Sequence, residues 1–479
     1  MDPLLPVRQR LALDALLVAL IALGITRALR QEAIYGDGSG LLSLRAQGML
    51  EYQGHQLYMP CIALLQRLLA PLGWSLFEIE SFASSLGTSL GIGFLFLAAL
   101  SFGVSRSRSW LLSACVIATP AIAFYASVIE IHGVFLAPVG LSFWIAGHLA
   151  TRPTSRTNLA VAAGLGTVTA VSALVHTTGH ILPVCILPLV YAVRRERAAL
   201  TLRAVVLETA SLAALHFAIY AAVFQWLHPV SANAPFLDRA RYLLSGLERI
   251  DLQAWPTSAW NEFGFAFLPL SILWPIAFLR PALRVQALGF LGSWLAYQMV
   301  PFVLLGDTTN EHGAYLVPLA FPAALLVVRS AREWILVLTI CIGAIAAIGQ
   351  VRDHDRLAKD WPSAAEVAEF TARGTRIFVV ATTAEFAPVL KHEPSTLPVP
   401  LDQLLLANPS DEQIVSGFVS TCEVMRRTGR EILVTDVALR SLREDPRRQL
   451  RLLKDAVMAR YGLERIAVSD LLAWRLVPK

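Results

Sequence analysis

The sequence predicts an α-helical polytopic membrane protein of about eleven transmembrane helices, followed by a small α/β domain. Three observations carry that prediction. Of 479 residues, 56% are hydrophobic and only 16% charged, too little polar surface to coat a soluble chain of this length. Apolar runs of roughly 18 to 22 residues recur from Leu11 to Gln350, the length a helix needs to cross about 30 Å of hydrocarbon at about 1.5 Å per residue. The runs are continuous, as from Leu90 to Leu100, whereas a membrane β-barrel alternates over segments of about ten residues.

The spans fall near 11–29, 80–103, 109–127, 131–150, 158–175, 180–193, 204–226, 263–279, 285–304, 314–329 and 333–350. Arginine pairs or clusters lie between every second span: Arg8 and Arg10, Arg106 and Arg108, Arg152 and Arg156, Arg194 to Arg203, Arg280 and Arg284, Arg329 and Arg332. The short turns on the other side, around Glu130, His176 and Asp307, hold no Lys or Arg. Basic loops stay in the cytosol, so the amino terminus is expected inside and the carboxyl-terminal segment outside. The first span lacks a small-x-small cleavage signal before Arg30 and reads as a retained anchor.

Residues 1–350 form the expected membrane domain, with a first outer loop at 31–79 and a second at 227–262. In the first loop, Leu57 to Leu72 has the one-sided apolarity of a helix lying along the interface. The second is rich in Trp, Pro and Arg, with Trp226, Trp255 and Trp260 placed as interfacial anchors. Residues 351–479 are ordinary charged sequence, with strands expected at 376–381 and 431–435 and an amphipathic helix at 411–427. They make a small extracytoplasmic α/β domain, read as a packing or acceptor-docking module. Asp14 and Glu208 lie toward cytoplasmic span ends, where they are expected to reach water or headgroups.

The net charge of +5 sits mostly in the arginine collar, which speaks to anionic lipid and not to nucleic acid. Five cysteines without CxxC spacing indicate neither a disulfide framework nor a thiolate metal site. No Gly-rich phosphate loop appears, so no nucleotide cofactor is expected.

Chemistry gathers on the side opposite the arginines. Tyr35-Gly36-Asp37-Gly38-Ser39-Gly40 follows the first span; glycines flanking Asp37 free the backbone and let substrate approach the carboxylate. An ordinary Asp-Gly turn explains the same residues. Glu130, in Val128-Ile129-Glu130-Ile131-His132, sits in an apolar turn where a carboxylate is costly and usually faces a cavity or partner; a snorkelling Glu is the plain alternative. His55, His176, His180, Glu311 and His312 complete the outer set. Singly, each His reads as a hydrogen-bonded interfacial residue; together, acids and imidazoles from several span ends are expected to line one pocket. His148 and His216 lie elsewhere and read as structural. Imidazole with carboxylate suits Zn or Mn, which leaves a divalent metal open and unassigned.

Over about residues 10 to 330 the chain resembles the GT-C class of polytopic glycosyltransferases, in particular its protein O-mannosyltransferase-like branch. The resemblance rests on three matches in order, Gly36-Asp37-Gly38, His55-Gln56-Leu57-Tyr58-Met59-Pro60 and Ile129-Glu130-Ile131-His132, and the later Glu311-His312-Gly313-Ala314-Tyr315 looks like that family's segment entering a late span. It implies inverting transfer of a sugar from a polyprenyl-phosphate donor to an extracytoplasmic hydroxyl on a protein, lipid or glycan, with Asp37 as general base. By the same resemblance, Glu130 orients the acceptor or holds a donor in place. Arg45, His55, Tyr58, His132, His176, His180, Arg239, Arg241, Glu311 and His312 are the candidates for binding substrate and the leaving phosphate. Gly38 stands where many relatives carry a second acid, the paired prolines after His55 are missing, and His312-Gly313 stand where an Arg is expected. The Arg-rich, Lys-poor composition points to a bacterial inner membrane with a periplasmic site. The competing class is a transporter or lipid-linked sugar flippase, which should show repeated halves or broken helices polar at the midplane; neither is legible. A third reading, a non-catalytic assembly subunit, predicts that replacing Asp37 has no effect.

Overall fold

The computed structural model describes residues 7–479 except 51, 53–54, 152–155, 197–200, 228–252, 306–310, 360, 372–375, 397, 402–410, 428–430, 445–447 and 469–470. The chain divides into two compact units: Met1–Gln31, Leu50–Gly73 and Ile79–His354 form the first, while Glu32–Met49, Trp74–Glu78 and Asp355–Lys479 form the second.

The first unit is helical. Its elements are α1 (Val7–Ala28), α3 (Tyr58–Leu69), most of α4 (Leu76–Ser101), α5 (Arg106–Ile117), α6 (Pro120–Ser127), α7 (Ile131–Thr151), α8 (Arg156–Val175), α9 (Leu182–Glu196), α10 (Leu202–Leu227), α11 (Trp255–Ala259), α12 (Leu270–Leu273), α13 (Arg284–Leu305), α14 (Ala320–Ser330) and α15 (Glu333–Asp355). The expected spans overlap helical segments, two of them, 109–127 and 263–279, broken by sharp bends. Among the described residues seven helices are long and apolar enough to cross a membrane alone, and nine spans result if two bent pairs count as one each. The chain is a multi-pass membrane protein. The bends, 66° between α5 and α6 and 108° between 255–265 and 270–279, have a physical cause. Pro120 opens α6 and Pro269 lies in the second break; proline lacks the N–H that would continue the preceding helix.

Helix α3 buries Tyr58, Met59 and Ile62 while Leu64 and Leu68 are exposed, as an interfacial helix requires. Helices α4 and α7 approach backbone to backbone: a Cβ on Gly91 would meet the Leu136 carbonyl oxygen at 2.5 Å, and one on Gly87 would meet the Val134 Cα at 2.5 Å. Small residues permit such approach where no hydrophobic force separates lipid from helix. Ser84 and Thr88 on α4 add hydrogen bonds to the carbonyls of Glu130 and Gly133, at 3.0 and 3.3 Å, which fixes the turn entering α7.

The arginine collar is tied into the bundle. Arg106 grips Asp14 through Nε and Nη2 at 2.6 and 2.7 Å. Arg194, fully buried, pairs with buried Glu208 and donates to the Leu149 carbonyl at 3.0 Å. Arg329 donates to Gln286 and to the Phe102 carbonyl, at 2.8 and 2.9 Å. Asp14 and Glu208 therefore do not reach out to water or headgroups as the sequence suggested. An intramembrane carboxylate costs less when paired with a neighbouring guanidinium than when left single.

In the second unit, β1 (Arg376–Val380), β2 (Pro398–Pro400), β3 (Glu431–Thr435), β4 (Tyr461–Val468) and β5 (Leu471–Pro478) form a mixed sheet of order β2-β1-β3-β5-β4. Strands β1, β2 and β3 run parallel, while β5 is antiparallel to β3 and β4. The side-chain period of two divides the core: Phe378, Val380 and Leu433 pack with Val367 and Phe386 on one face, Val379, Ile432 and Val434 with Leu439 and Leu453 on the other. Pro398 and Pro400 are tolerated because β2 is an edge. The two expected strands are β1 and β3; the other three were not anticipated. The remaining helices are α2 (Gly38–Ala46), α16 (Ala364–Thr371), α17 (Ala387–His392), α18 (Asp411–Arg427), α19 (Asp436–Glu444) and α20 (Arg448–Arg460). Helix α2 buries Leu41 and Leu42 completely and packs on α17 and the turn Thr383–Phe386. The first-loop segment 32–49, placed by its sequence with the membrane part, thus forms one body with the carboxyl-terminal residues.

Candidate functional site

In the first unit, four span ends assemble a buried cluster of imidazoles, phenols and one carboxylate. Helix α6 stops at Ser127, the chain extends through Val128 and α7 begins at Ile131. Glu130 is held in that gap by a reciprocal pair of bonds between its own backbone and Ser84 Oγ, and its Oε2 accepts from the Ile131 N–H at 2.9 Å. Its Oε1 lies 3.9 Å from His132 Nδ1. The His176 ring lies 4.4 Å from that of His132 and 4.8 Å from that of His55, centroid to centroid. Tyr125 and Tyr315 flank His132 at 4.9 and 5.8 Å.

Backbone geometry assigns the tautomers. His176 is extended and caps the turn Thr177–His180, its Nδ1 accepting from the Thr178 N–H at 3.3 Å and lying 2.7 Å from Thr178 Oγ1. That nitrogen carries no proton, so Nε2 does. His55 is the reverse: its Nδ1 lies 3.2 Å from the Val175 carbonyl, which only an N–H can satisfy. Two stacked rings therefore present opposite hydrogen-bonding character. Burial, then the neighbouring His132 and His55 rings, holds the His176 pKa well below the usual imidazole value. Burial and the carboxylates of Glu80 and Glu130 push the Tyr58 phenol well up. The Tyr58 hydroxyl and both His132 ring nitrogens are buried without a hydrogen-bond partner, a state native interiors rarely leave unexplained.

The other candidates separate into smaller groups. Glu311 and His312 form a left-handed turn, with His312 at φ 49° and Gly313 at φ 78°. Fully buried Glu262 accepts the N–H groups of Glu311 and Gly313 at 2.6 and 2.9 Å, and Tyr125 donates to the Glu311 carbonyl. His180 Nδ1 is 2.9 Å from His216 Nε2, and His216 Nδ1 is 3.0 Å from Thr169 Oγ1. The placement of His216 away from the candidates is thereby corrected; His148 does lie apart, beside Trp144. Asp37 and Arg45 belong to the second unit: Asp37 is exposed just before α2, within a turn closed by the Gly38 N–H to the Tyr35 carbonyl at 2.9 Å, and Arg45 donates to the Met49 carbonyl at 3.3 Å. Arg239 and Arg241, with most of the second outer loop, lie outside the described residues.

Among the described residues no group of three or more His, Cys, Asp or Glu is arranged to hold a metal ion. All five cysteines are free. Sequence reasoning missed Glu262, Tyr125, Tyr315 and buried Glu80 as neighbours of these groups. Glu262 carried the same signal as Glu130, an acid at the mouth of a span; the tyrosines had none that distinguishes them from an interfacial belt.

No protein-family model and no curated protein sequence matches the chain. In structure it is similar to ArnT from Cupriavidus metallidurans bound to undecaprenyl phosphate, over 97% of each chain, with a TM-score of 0.55 and 12% identity. The fold is the GT-C fold. Similarity at lower TM-score, 0.48 in each case, extends to the Archaeoglobus fulgidus oligosaccharyltransferase at 10% identity, covering 95% of this chain and 72% of that one, and to the mycobacterial arabinofuranosyltransferase AftD at 15%, covering 98% and 39%. The architecture expected from the sequence, a GT-C-like helical membrane part with a small carboxyl-terminal α/β domain, is the one observed.

Proposed function

We propose that the protein is a membrane glycosyltransferase that moves a sugar from a polyprenyl-phosphate carrier to an acceptor hydroxyl with inversion. The observation that supports this most is the likeness in fold, end to end, to ArnT, whose structure holds undecaprenyl phosphate. In the reaction, Asp37 takes the acceptor proton as the acceptor oxygen bonds the anomeric carbon. The anomeric carbon–oxygen bond to phosphate breaks, and its electron pair leaves with the polyprenyl phosphate. Charge growing on that phosphate needs hydrogen-bond donors or cations. Arg45 and the imidazoles of His55, His176, His180 and His312 are the proposed set, with Arg239 and Arg241. The O-mannosyltransferase-like branch, a periplasmic site and a bacterial inner membrane are the finer parts of the proposal.

The test is transfer from radiolabelled polyprenyl-phosphate sugars in membranes holding the full chain. Asp37→Asn should cut transfer by roughly 10²- to 10⁴-fold at unchanged expression, the usual contribution of a general base. Full activity in that variant removes Asp37 from the chemistry, and no transfer by wild type with any carrier removes the enzyme reading.

A further inference from the structure

Within the second unit, the segment that carries Asp37 is fastened to carboxyl-terminal residues at two points. Asp355 Oδ1 lies 2.6 Å from the Glu32 N–H and 3.4 Å from that of Ala33, where it orients the backbone that leads into the Tyr35–Gly38 turn. Lys391, on α17, is the second point. Its side chain is only 16% exposed, and its Nζ sits 2.7 Å from Glu32 Oε2. The same ammonium lies 5.4 Å from the Phe77 ring centroid and 5.8 Å from that of Trp361. One cation thus binds three stretches of chain, by charge at 32 and by ring faces at 77 and 361. Helix α2, which starts one residue after Asp37, completes the attachment by packing on α17 and the turn before it.

We infer that Lys391 and Asp355 are positioning residues for the Asp37 turn, and that holding this turn is a task of the carboxyl-terminal residues. The inference rests on Asp37 as the base. A flexible carboxylate is a poor base because its proton-accepting lone pair must stay within hydrogen-bond reach of the acceptor. The turn rests on Gly36, at φ 50°, and a glycine there leaves the backbone freer than any other residue would, so the turn gains from being held by its neighbours. Both anchors contact the chain that leads to Asp37, and as positioning residues they act on rate through it.

The experiment uses the purified full chain in lipid nanodiscs, with amide hydrogen exchange and transfer kinetics measured together. Lys391→Met should speed exchange across 33–46 and leave 80–150 unchanged. The same variant should lower kcat roughly ten- to a hundredfold with the KM for donor lipid unmoved, and Lys391→Arg should restore both. Asp355→Asn keeps an oxygen that accepts the two N–H groups and should behave as wild type, while Asp355→Ala should not, which decides the matter should Lys391→Met fail to fold. Unchanged exchange across 33–46 in Lys391→Met and Asp355→Ala overturns the inference. So does faster exchange with undiminished kcat, in a preparation where Asp37→Asn is inactive; that result leaves the base standing. An active Asp37→Asn overturns the base assignment and this inference with it.

Discussion

A histidine that accepts a backbone N–H cannot be protonated without breaking that bond, and His176 is such a residue. Its folded-state pKa is lowered, first by burial and then by the rings of His132 and His55. The sign follows: the unfolded chain binds a proton near pH 6.5 that the folded one refuses, so the stability from neutral His176 is complete above the unfolded value and is lost as pH falls below it. Half-buried His312, also lowered by burial, adds in the same direction. The thermal midpoint in detergent should be level from pH 8 to 7 and fall toward pH 5, and His176→Gln, which retains an acceptor, should weaken that fall. An equal fall in the variant refutes the assignment to His176. Glu262 makes a second residue-scale case. A glutamine there offers one oxygen to two inward-facing N–H groups, and a buried donor left unsatisfied costs about 1–3 kcal/mol; Glu262→Gln should lose about that in stability, read by chemical denaturation, and an unaltered curve rules the clamp unimportant. At this scale the sequence was partly legible. Glu130, His55, His132 and His176 declared themselves because polar groups in apolar turns need a reason to be there, whereas His216 sits in a long apolar helix with its partner 36 residues away.

Helices were the most readable elements, since length and continuous apolarity are one-dimensional properties. The bends were not, because a span broken at Pro120 or Pro269 has the same hydropathy as a straight one. Nor was the close contact of α4 with α7, which depends on glycines meeting across two helices. That contact carries Glu130 and His132, so its geometry bears on the cluster. Gly91→Ala places a methyl 2.5 Å from the Leu136 carbonyl oxygen, and overpacking of this kind costs about 1–3 kcal/mol. Gly164→Ala, with nothing within 4 Å of the new carbon, is the control and should be neutral or slightly stabilising in a helix interior. Equal midpoints for the two variants would show that the helices separate without penalty. In the second unit, β1 and β3 were legible as short β-branched runs bounded by polar residues. Strand β2 was hidden by its prolines, and β4 and β5 by charges at Glu464, Arg465 and Arg475, which a strand with exposed positions tolerates.

At the scale of the whole first unit, the two ends of the bundle differ in chemistry. One end is charged and paired: Arg106 with Asp14, Arg194 with Glu208, Arg329 with Gln286. The other gathers stacked imidazoles and tyrosines about Glu130. A chain inserted by the charge rule keeps arginines in the cytosol, and on that rule the imidazole end is predicted to lie at the outer face, where the proposed polyprenyl-linked donor would be met. The assignment has a direct check in a chain freed of its five native cysteines. Ser107→Cys, exposed at the start of α5 among the arginines, should react with an impermeant maleimide only after cells are opened, whereas Leu50→Cys, 52% exposed on the first outer loop, should react in intact cells. The reverse pattern would put the imidazole end in the cytosol and the arginines outside. Insertion by charge and the proposed outward-facing donor site would then fail together, because both follow from the same alternation of helix ends.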